Sequence, residues 1–381
     1  MAVTITGNAN FVPMKNFKEE LSFILQKVES DDFKKEILET KRLLSSKPLI
    51  LYGAGVVGAS ADRVLKHYGI EALCFCDKNK KGTDESTGLR IISPKTLISE
   101  HPDANIIICS VNYAEEIKRD LEKLGVSENR IFSRNFLNLH EMILSDIQPH
   151  FSGYERVYDL YADDQSRHIL LMRIMGYLTS SPLTSSPLTS QYFDSEFISL
   201  SEKEIFVDAG MYIGDTADQF FRYVNNKYKA YYGFEPDSDN YNKANISLLE
   251  QPNVTTINKG LWNCDTQLYF SGNLSSSSKI ENVSTGNRYG NSVNVTALDI
   301  YFKDKALPTF IKMDIEGAEL EALKGAQSII RRYKPKLAIC AYHKPEDVYT
   351  IPELINSYRN DYVFYLRHYT NSIYETVFYA I

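Results

Sequence analysis

Apolar positions change their spacing several times along the chain. Phe17, Leu21, Ile24, Leu25 and Val28 follow a helical stripe, spaced i, i+4, i+7, i+8, i+11. This predicts a helical segment within residues 1–47 that packs on a neighbouring domain or pairs subunits. From Pro48 short apolar runs alternate with helical stretches. Leu49–Tyr52, Glu71–Cys76 and Asn105–Cys109 read as strands. Gly53-Ala-Gly-Val-Val-Gly58 reads as a turn opening a helix. A short helix covers Thr96–Ser99, after Ser93-Pro94, and a longer one covers Tyr113–Leu124, ended by Gly125. The spacing predicts a small βαβαβ domain with a parallel sheet over residues 48–135.

Residues 136–200 read as a connector, with a helix over Ser166–Tyr177. A tandem duplication follows, Ser180-Ser-Pro-Leu-Thr184 and Ser185-Ser-Pro-Leu-Thr189. Such Pro and Ser density predicts an irregular surface loop, either covering an active site or simply tolerated. Over residues 201–381 strands and helices alternate again. Strands are predicted at Ile205–Asp208, Ala230–Glu235, Val254–Gly260, Phe310–Asp314, Lys336–Ala341, Tyr362–Arg367 and Thr376–Ala380. The last two are joined by only Tyr369–Glu375, too short for a parallel crossover. They therefore form an antiparallel hairpin at the sheet edge.

Length and composition then set limits. A chain of 381 residues calls for more than one domain. Net charge is −7 without a long basic run, which argues against a nucleic-acid partner. No apolar stretch approaches the roughly 20 residues of a membrane span. The first ten residues lack the pattern of a secretory signal, so the expected location is the cytoplasm. Cys74, Cys76, Cys109, Cys264 and Cys340 fit reduced thiols in such a compartment.

The candidate chemistry lies at strand ends. Phe206-Val-Asp-Ala-Gly-Met-Tyr-Ile-Gly-Asp-Thr216 is a strand running into an acid, Asp208, and a glycine-bearing turn. Gly210 can take positive φ and Gly214 allows close packing as a helix begins. Asp215 or Thr216 can cap that helix, and Tyr212 lies in the turn itself. Glu235 ends the next strand, 27 residues after Asp208, and is followed by Pro236. A carboxylate there can accept two hydrogen bonds from a ribose diol. The pair is what an enzyme needs to hold S-adenosylmethionine on an open α/β sheet. A turn of the form D-x-G-x-x-x-G tilts away from a pyrophosphate cradle. Ile311-Lys-Met-Asp-Ile-Glu-Gly-Ala-Glu319 puts Asp314 at a third strand end, in the crevice where open sheets bind ligands. Glu316 and Glu319 start the following helix, Glu319 in the manner of a cap. His343 follows a fourth strand, and a neutral imidazole there can act as a base.

These residues, with Thr296-Ala-Leu-Asp299 and Tyr342-His343, resemble the FkbM-type family of S-adenosylmethionine-dependent methyltransferases over residues 190–381. The resemblance implies an α/β class I methyltransferase (Rossmann-like) sheet with an antiparallel terminal hairpin. It implies O-methylation of a sugar hydroxyl, a polysaccharide precursor or a natural product. Met211-Tyr212 departs from the residues that often follow the glycine in that family, which bears on the loop contacts. With this chemistry Asp208, Gly210, Tyr212, Gly214, Asp215, Thr216, Glu235 and Pro236 become cofactor-binding candidates. Asp314 or His343 would be the base, with Glu316 orienting the acceptor. No metal is assigned, although Asp314, Glu316 and His343 could instead hold a divalent ion.

The N-terminal domain has its own glycine turn. Gly53, Gly55 and Gly58 follow a strand and open a helix, and Asp77 closes the next strand, 24 residues after Gly53. That is the context of a dinucleotide fingerprint. The domain is similar to the nucleotide-sugar-binding half of some bacterial sugar acyltransferases. A nucleotide-type site, the relic of one, and a dehydrogenase all fit. The alternatives to a methyltransferase are thus a non-catalytic nucleotide- or nucleotide-sugar-binding protein and an NAD-linked oxidoreductase.

Overall fold

The computed structural model describes residues 16–110, 113–133, 142–179, 181, 183, 191–270, 280–281, 291–370 and 373–381. The duplicated Ser-Ser-Pro-Leu-Thr stretch lies largely outside them. Two helices open the chain, α1 (Phe17–Glu29) and α2 (Asp31–Leu44). Asn16 and Ser30 cap them, accepting the N–H of Glu19 and Phe33. The apolar stripe of α1 is used within the chain. Phe17 and Ile24 are buried, and Leu21, Leu25 and Val28 pack against the same core as Tyr158 and Ile174. It packs on a neighbouring unit of the chain, one of the two uses expected.

The N-terminal sheet contains β1 (Leu49–Tyr52), β2 (Cys74–Cys76), β3 (Gly82–Thr83), β4 (Arg90–Ile92), β5 (Asn105–Ile108) and β6 (Ile131–Ser133). Their order is β3-β4-β2-β1-β5-β6. All pairs are parallel except β3 with β4. Helices α3 (Val56–His67), α4 (Pro94–Glu100) and α5 (Ala114–Lys123) run between them. Alternate side chains feed two separate cores, Leu49, Leu51 and Ile107 on one face and Ile50, Tyr52 and Ile106 on the other. Burial on both faces explains why these strands are continuous apolar runs. The sheet is twice as wide as the three strands expected. Its extra strands have only two or three residues each.

The connector is part of the C-terminal core. Helices α6 (Leu144–Ile147), α7 (Phe151–Tyr158) and α8 (Asp164–Thr179) lie here. Tyr154, Tyr161, Leu170 and Ile174 are fully buried in one cluster with Ile339 and Phe378. Arg173 is buried too, donating to Ile373 O at 2.8 Å, Thr376 Oγ1 at 2.6 Å and Tyr177 OH at 2.5 Å. Tyr161 OH donates to Val348 O at 2.8 Å. Tyr161→Phe should therefore cost about 1 kcal/mol in urea denaturation. A change of a few tenths or less, as at a surface linker, would remove Tyr161 from the core's hydrogen bonding.

The rest of the chain forms β7 (Ile205–Ala209), α9 (Asp215–Tyr223), β8 (Ala230–Phe234), α10 (Ser238–Ser247) and β9 (Val254–Ile257). It continues through β10 (Gly260–Leu261), β11 (Thr266–Phe270), β12 (Ile280–Glu281), β13 (Asn291–Thr296) and α11 (Leu298–Tyr301). It ends with β14 (Phe310–Met313), α12 (Glu319–Lys324), α13 (Gln327–Tyr333), β15 (Lys336–Cys340), α14 (Asp347–Tyr358), β16 (Phe364–His368) and β17 (Thr376–Ala380). The main sheet runs β16-β17-β15-β14-β7-β8-β9. Five strands are parallel, and β17 pairs antiparallel with both β15 and β16, which is the hairpin expected. A small second sheet, β10-β13-β11-β12, was not anticipated. It takes Gly260 away from β9, where the apolar pattern had placed it.

Candidate active site

The main sheet changes direction between β7 and β14. The chain leaves β7 towards β8 on one side, and β14 lies on the other. Such a switch point opens a crevice at the carboxyl ends of the strands. The loops after β7, β8, β14 and β15 meet there.

The turn after β7 is fixed by contacts that only glycine permits at one point. Gly210 has φ +75°, and a Cβ on it would lie 1.9 Å from Asp314 O. The N–H groups of Gly210 and Met211 both donate to Phe234 O, at 3.0 and 3.1 Å. Tyr212 has φ +50° and a half-exposed ring, and its N–H donates to Glu235 Oε2 at 3.1 Å. Glu235 Oε1 accepts the Asp237 N–H at 2.9 Å. Glu235 is 7 % exposed. Burial pushes its carboxyl up to about 7, against the pull of the two N–H donors. Pro236 extends from it, its carbonyl accepting from Asn258 Nδ2 at 3.2 Å. Gly214 itself takes the N-cap position of α9 with φ +94°, so neither Asp215 nor Thr216 is the cap. Thr216 is buried in the first turn.

Asp208 is placed differently from expectation. It is 0 % exposed, beneath the crevice and not in it. Lys312 Nζ is 3.0 Å from its Oδ1, and Tyr231 OH donates to its Oδ2 at 2.8 Å. The register of β14 on β7 sets Lys312 directly opposite Asp208. Lys312 also donates to Gly210 O at 2.7 Å, so one buried ammonium supports both the acid and the turn. Burial alone would lower the Lys312 pKa, but Asp208 and Asp314 outweigh it and keep the ammonium charged. Sequence reasoning gave Lys312 no role. Only the register reveals it.

On the other side Asp314 follows β14. Its Oδ2 accepts from Tyr192 OH at 3.0 Å and its Oδ1 from Tyr342 OH at 3.1 Å. Burial would raise its pKa, but Lys312 and then His343 hold it below the usual carboxylate range. Tyr342 OH also lies 3.4 Å from Glu375 Oε1. Tyr192 and Glu375 were missed, since Tyr192 comes from the connector and Glu375 from the terminal hairpin's turn, and Tyr342, quoted only within the Tyr342-His343 motif, had been given no role. Glu316 has φ +56° and a side chain 60 % exposed, at the mouth. Glu319 Oε1 accepts the Ile315 N–H at 2.9 Å and so ties down the loop before α12; the N-cap is Ala318, without a side-chain cap, so Glu319 does not cap the helix as expected.

His343 stands among these acids. Its Nε2 is 3.6 Å from Asp314 Oδ1 and 3.6 Å from Glu316 Oε2, and its Nδ1 is 3.2 Å from Glu319 Oε1. Burial would lower its pKa, but Glu319, Asp314 and Glu316 outweigh that and hold it up at about 9. With no other cation among these carboxylates the ring keeps its proton near pH 7, where a neutral imidazole was expected. His368, at the end of β16, is buried with Nδ1 2.8 Å from Thr376 Oγ1.

The structure thus brings Glu235, Asp314, Glu316 and His343 to one crevice, with the Gly210–Gly214 turn as its floor. Residues 208–364 match the profile described as the methyltransferase FkbM domain. The chain carries an FkbM methyltransferase domain. Residues 45–132 match a second profile, described as C2185-like, N-terminal. The crystal structure of methyltransferase FkbM from Methylobacillus flagellatus KT is similar over nearly the whole length. It is 22 % identical, covers 96 % of this chain and 99 % of its own, and has a TM-score of 0.63. At that identity the likeness shows the fold. Fibrillarin from Aeropyrum pernix, solved with natively bound S-adenosyl-L-methionine, is 11 % identical over 50 % of this chain and 73 % of its own, with a TM-score of 0.32. An rRNA methylase from Streptococcus thermophilus is 17 % identical over 48 % and 86 %, with a TM-score of 0.31. Both are too distant to carry an argument. No curated protein matches the chain.

The FkbM domain leaves the N-terminal turn outside it. Gly53, Gly55, Gly58 and Asp77 do gather at the ends of β1 and β2. Asp77 Oδ2 accepts the Ala54 N–H at 3.0 Å, and its Oδ1 accepts those of Asn79 and Lys80 at 2.8 and 3.0 Å. Lys80 Nζ returns to Ala54 O at 2.6 Å. The carboxylate closes its own loop. Among the described residues no helix is long and apolar enough to cross a membrane.

Proposed function

We propose that this protein transfers a methyl group from S-adenosylmethionine to a hydroxyl oxygen of a sugar, a polysaccharide precursor or a natural product. The observation that carries the reading is Glu235. It is a buried carboxylate at a strand end, beside a glycine turn and across the crevice from Asp314. Each Glu235 oxygen accepts one backbone N–H and keeps a lone pair for a ribose hydroxyl. The acidic crevice also suits a sulfonium cation. The cofactor supplies an electrophilic methyl group bonded to a positively charged sulfur.

The chain supplies the rest. Glu235 and the Tyr212 backbone hold the ribose end. Asp314, fixed by Tyr192 and Tyr342, takes the proton lost by the acceptor hydroxyl as its oxygen gains carbon. Glu316, at the mouth, orients the acceptor, and tyrosine hydroxyls and carboxylates suit one rich in hydroxyls. The N-terminal turn is given no part in this reading, because Asp77 is engaged by its own loop.

Calorimetry with S-adenosylhomocysteine tests the reading. Glu235→Ala should weaken binding by about two orders of magnitude, the worth of two charge-assisted hydrogen bonds. Absence of binding to the unaltered protein would falsify it. The pH dependence has a defined sign. Below about 7 Glu235 binds a proton, and its neutral form is a poorer acceptor for a diol. Affinity should therefore fall as pH drops through about 7, approaching tenfold per unit, and Glu235→Gln should flatten the profile. Asp237 and Lys312 are the charged groups that face Glu235.

A further inference from the structure

The cluster around His343 holds buried polar atoms that the chain leaves unsatisfied. Glu319 is 1 % exposed, and its Oε2 is buried with no hydrogen-bond partner. Both ring nitrogens of His343 are also buried without one. Nδ1 lies 3.2 Å from Glu319 Oε1, but off the line a hydrogen bond needs. One ligand atom from each of Asp314, Glu319 and His343 lies within 4.8 Å of the others. Ligands held about 2.0–2.2 Å from a shared ion stand roughly 3–4.4 Å apart, so shifts of a few tenths of an ångström would close this set on one cation. A buried carboxylate oxygen facing no donor is costly, and a cation between the three groups removes that cost.

We propose that Asp314, Glu319 and His343 bind one divalent metal ion. One imidazole nitrogen with two carboxylate oxygens favours a borderline ion such as Mn²⁺ or Zn²⁺ over the all-oxygen cages of Ca²⁺. The supports are in place. Tyr192 and Tyr342 hold Asp314, and the Ile315 N–H holds Glu319, as outer partners orient metal ligands. The three residues come from the ends of the adjacent strands β14 and β15 and the first residue of α12, a rigid frame. Glu316, more exposed, can fill a fourth position or leave it to an acceptor oxygen. The ion site stands on this geometry; with the ion bound Asp314 is its ligand and not the base, and the ion's use against an acceptor hydroxyl rests on the methyl-transfer reading above.

The test is titration of Mn²⁺ into the full chain after chelator treatment, at neutral pH, followed by electron paramagnetic resonance. One bound ion is expected, with a ¹⁴N coupling from the imidazole. Glu319→Gln should weaken binding at least about tenfold, and His343→Ala should remove the nitrogen coupling. If the variants fail to fold, as circular dichroism would reveal, the ¹⁴N signal of the unaltered protein still decides. Absence of Mn²⁺ and Zn²⁺ binding, or a bound ion without nitrogen coupling, overturns the proposal and leaves an imidazolium held by carboxylates. Binding of S-adenosylhomocysteine is read alongside. Its persistence without an ion removes the metal alone, and its absence with an ion bound removes the methyl-transfer reading alone.

Discussion

Replacing Lys312 with methionine is expected to cost about 3–5 kcal/mol of stability. Methionine fills the volume of the lysine stem but removes the charge opposite Asp208. That carboxylate is 0 % exposed and would keep only the Tyr231 hydroxyl. It must then stay charged without a counter-ion or take up a proton, and both are costly. The Gly210 carbonyl loses its donor as well, so the turn after β7 loosens along with the core below it. Urea denaturation of Lys312→Met, Asp208→Asn and the double variant would measure the coupling. The double variant should recover much of the loss, with an interaction energy of about 1–3 kcal/mol. A loss below about 1 kcal/mol in Lys312→Met would mean that the pair contributes little to the fold.

Gly210→Ala is expected to reduce S-adenosylhomocysteine affinity and turnover together, by at least about a hundredfold. The backbone at Gly210 has φ +75°, which alone costs an alanine about 1–2 kcal/mol. The greater cost is steric. The new methyl would sit 1.9 Å from Asp314 O and 2.9 Å from its carbonyl carbon. Both are backbone atoms, so no side chain can swing aside. Either the turn rises into the crevice or the loop carrying Asp314 retreats, and each moves a group the reaction uses. Calorimetry and transfer of a labelled methyl group would read the two losses separately. Intact affinity with lost turnover would place the movement at Asp314 alone. Intact values for both would show that the turn is not the cofactor's floor.

Much of the main sheet was legible because its strands are buried on both faces and read as unbroken apolar runs. The strand-end acids Glu235 and Asp314 were legible for a related reason: charge stands out directly after such a run. What escaped has physical causes. Strands of two or three residues, such as β3 and β10, are too short to show a period. Helix α8 was legible as a helix, but it is buried on nearly all sides, so no polar face marks its place, and its segment read as a connector. Asp208 and Lys312 each lie in a legible strand, yet their pairing depends on the register of β14 against β7. Tyr192 reaches Asp314 from a segment that local sequence marks only as irregular. The charge of His343 could not be read from its position, because it depends on three carboxylates converging around one ring.

The burial of Arg173 has a consequence for how the chain is made. Its partner Thr376 lies 203 residues downstream, close to the end. At about 5–20 residues per second, a ribosome needs roughly 10–40 s to reach it after α8 emerges. Until β16 and β17 arrive, the apolar surface of α8 lacks the strand it packs on and the arginine lacks Thr376. The first helices must wait, shielded by chaperone or by one another, for the last strand to arrive. A nascent chain stalled before β17 would present that surface to its neighbours, so aggregation during synthesis should track the completion of the final hairpin.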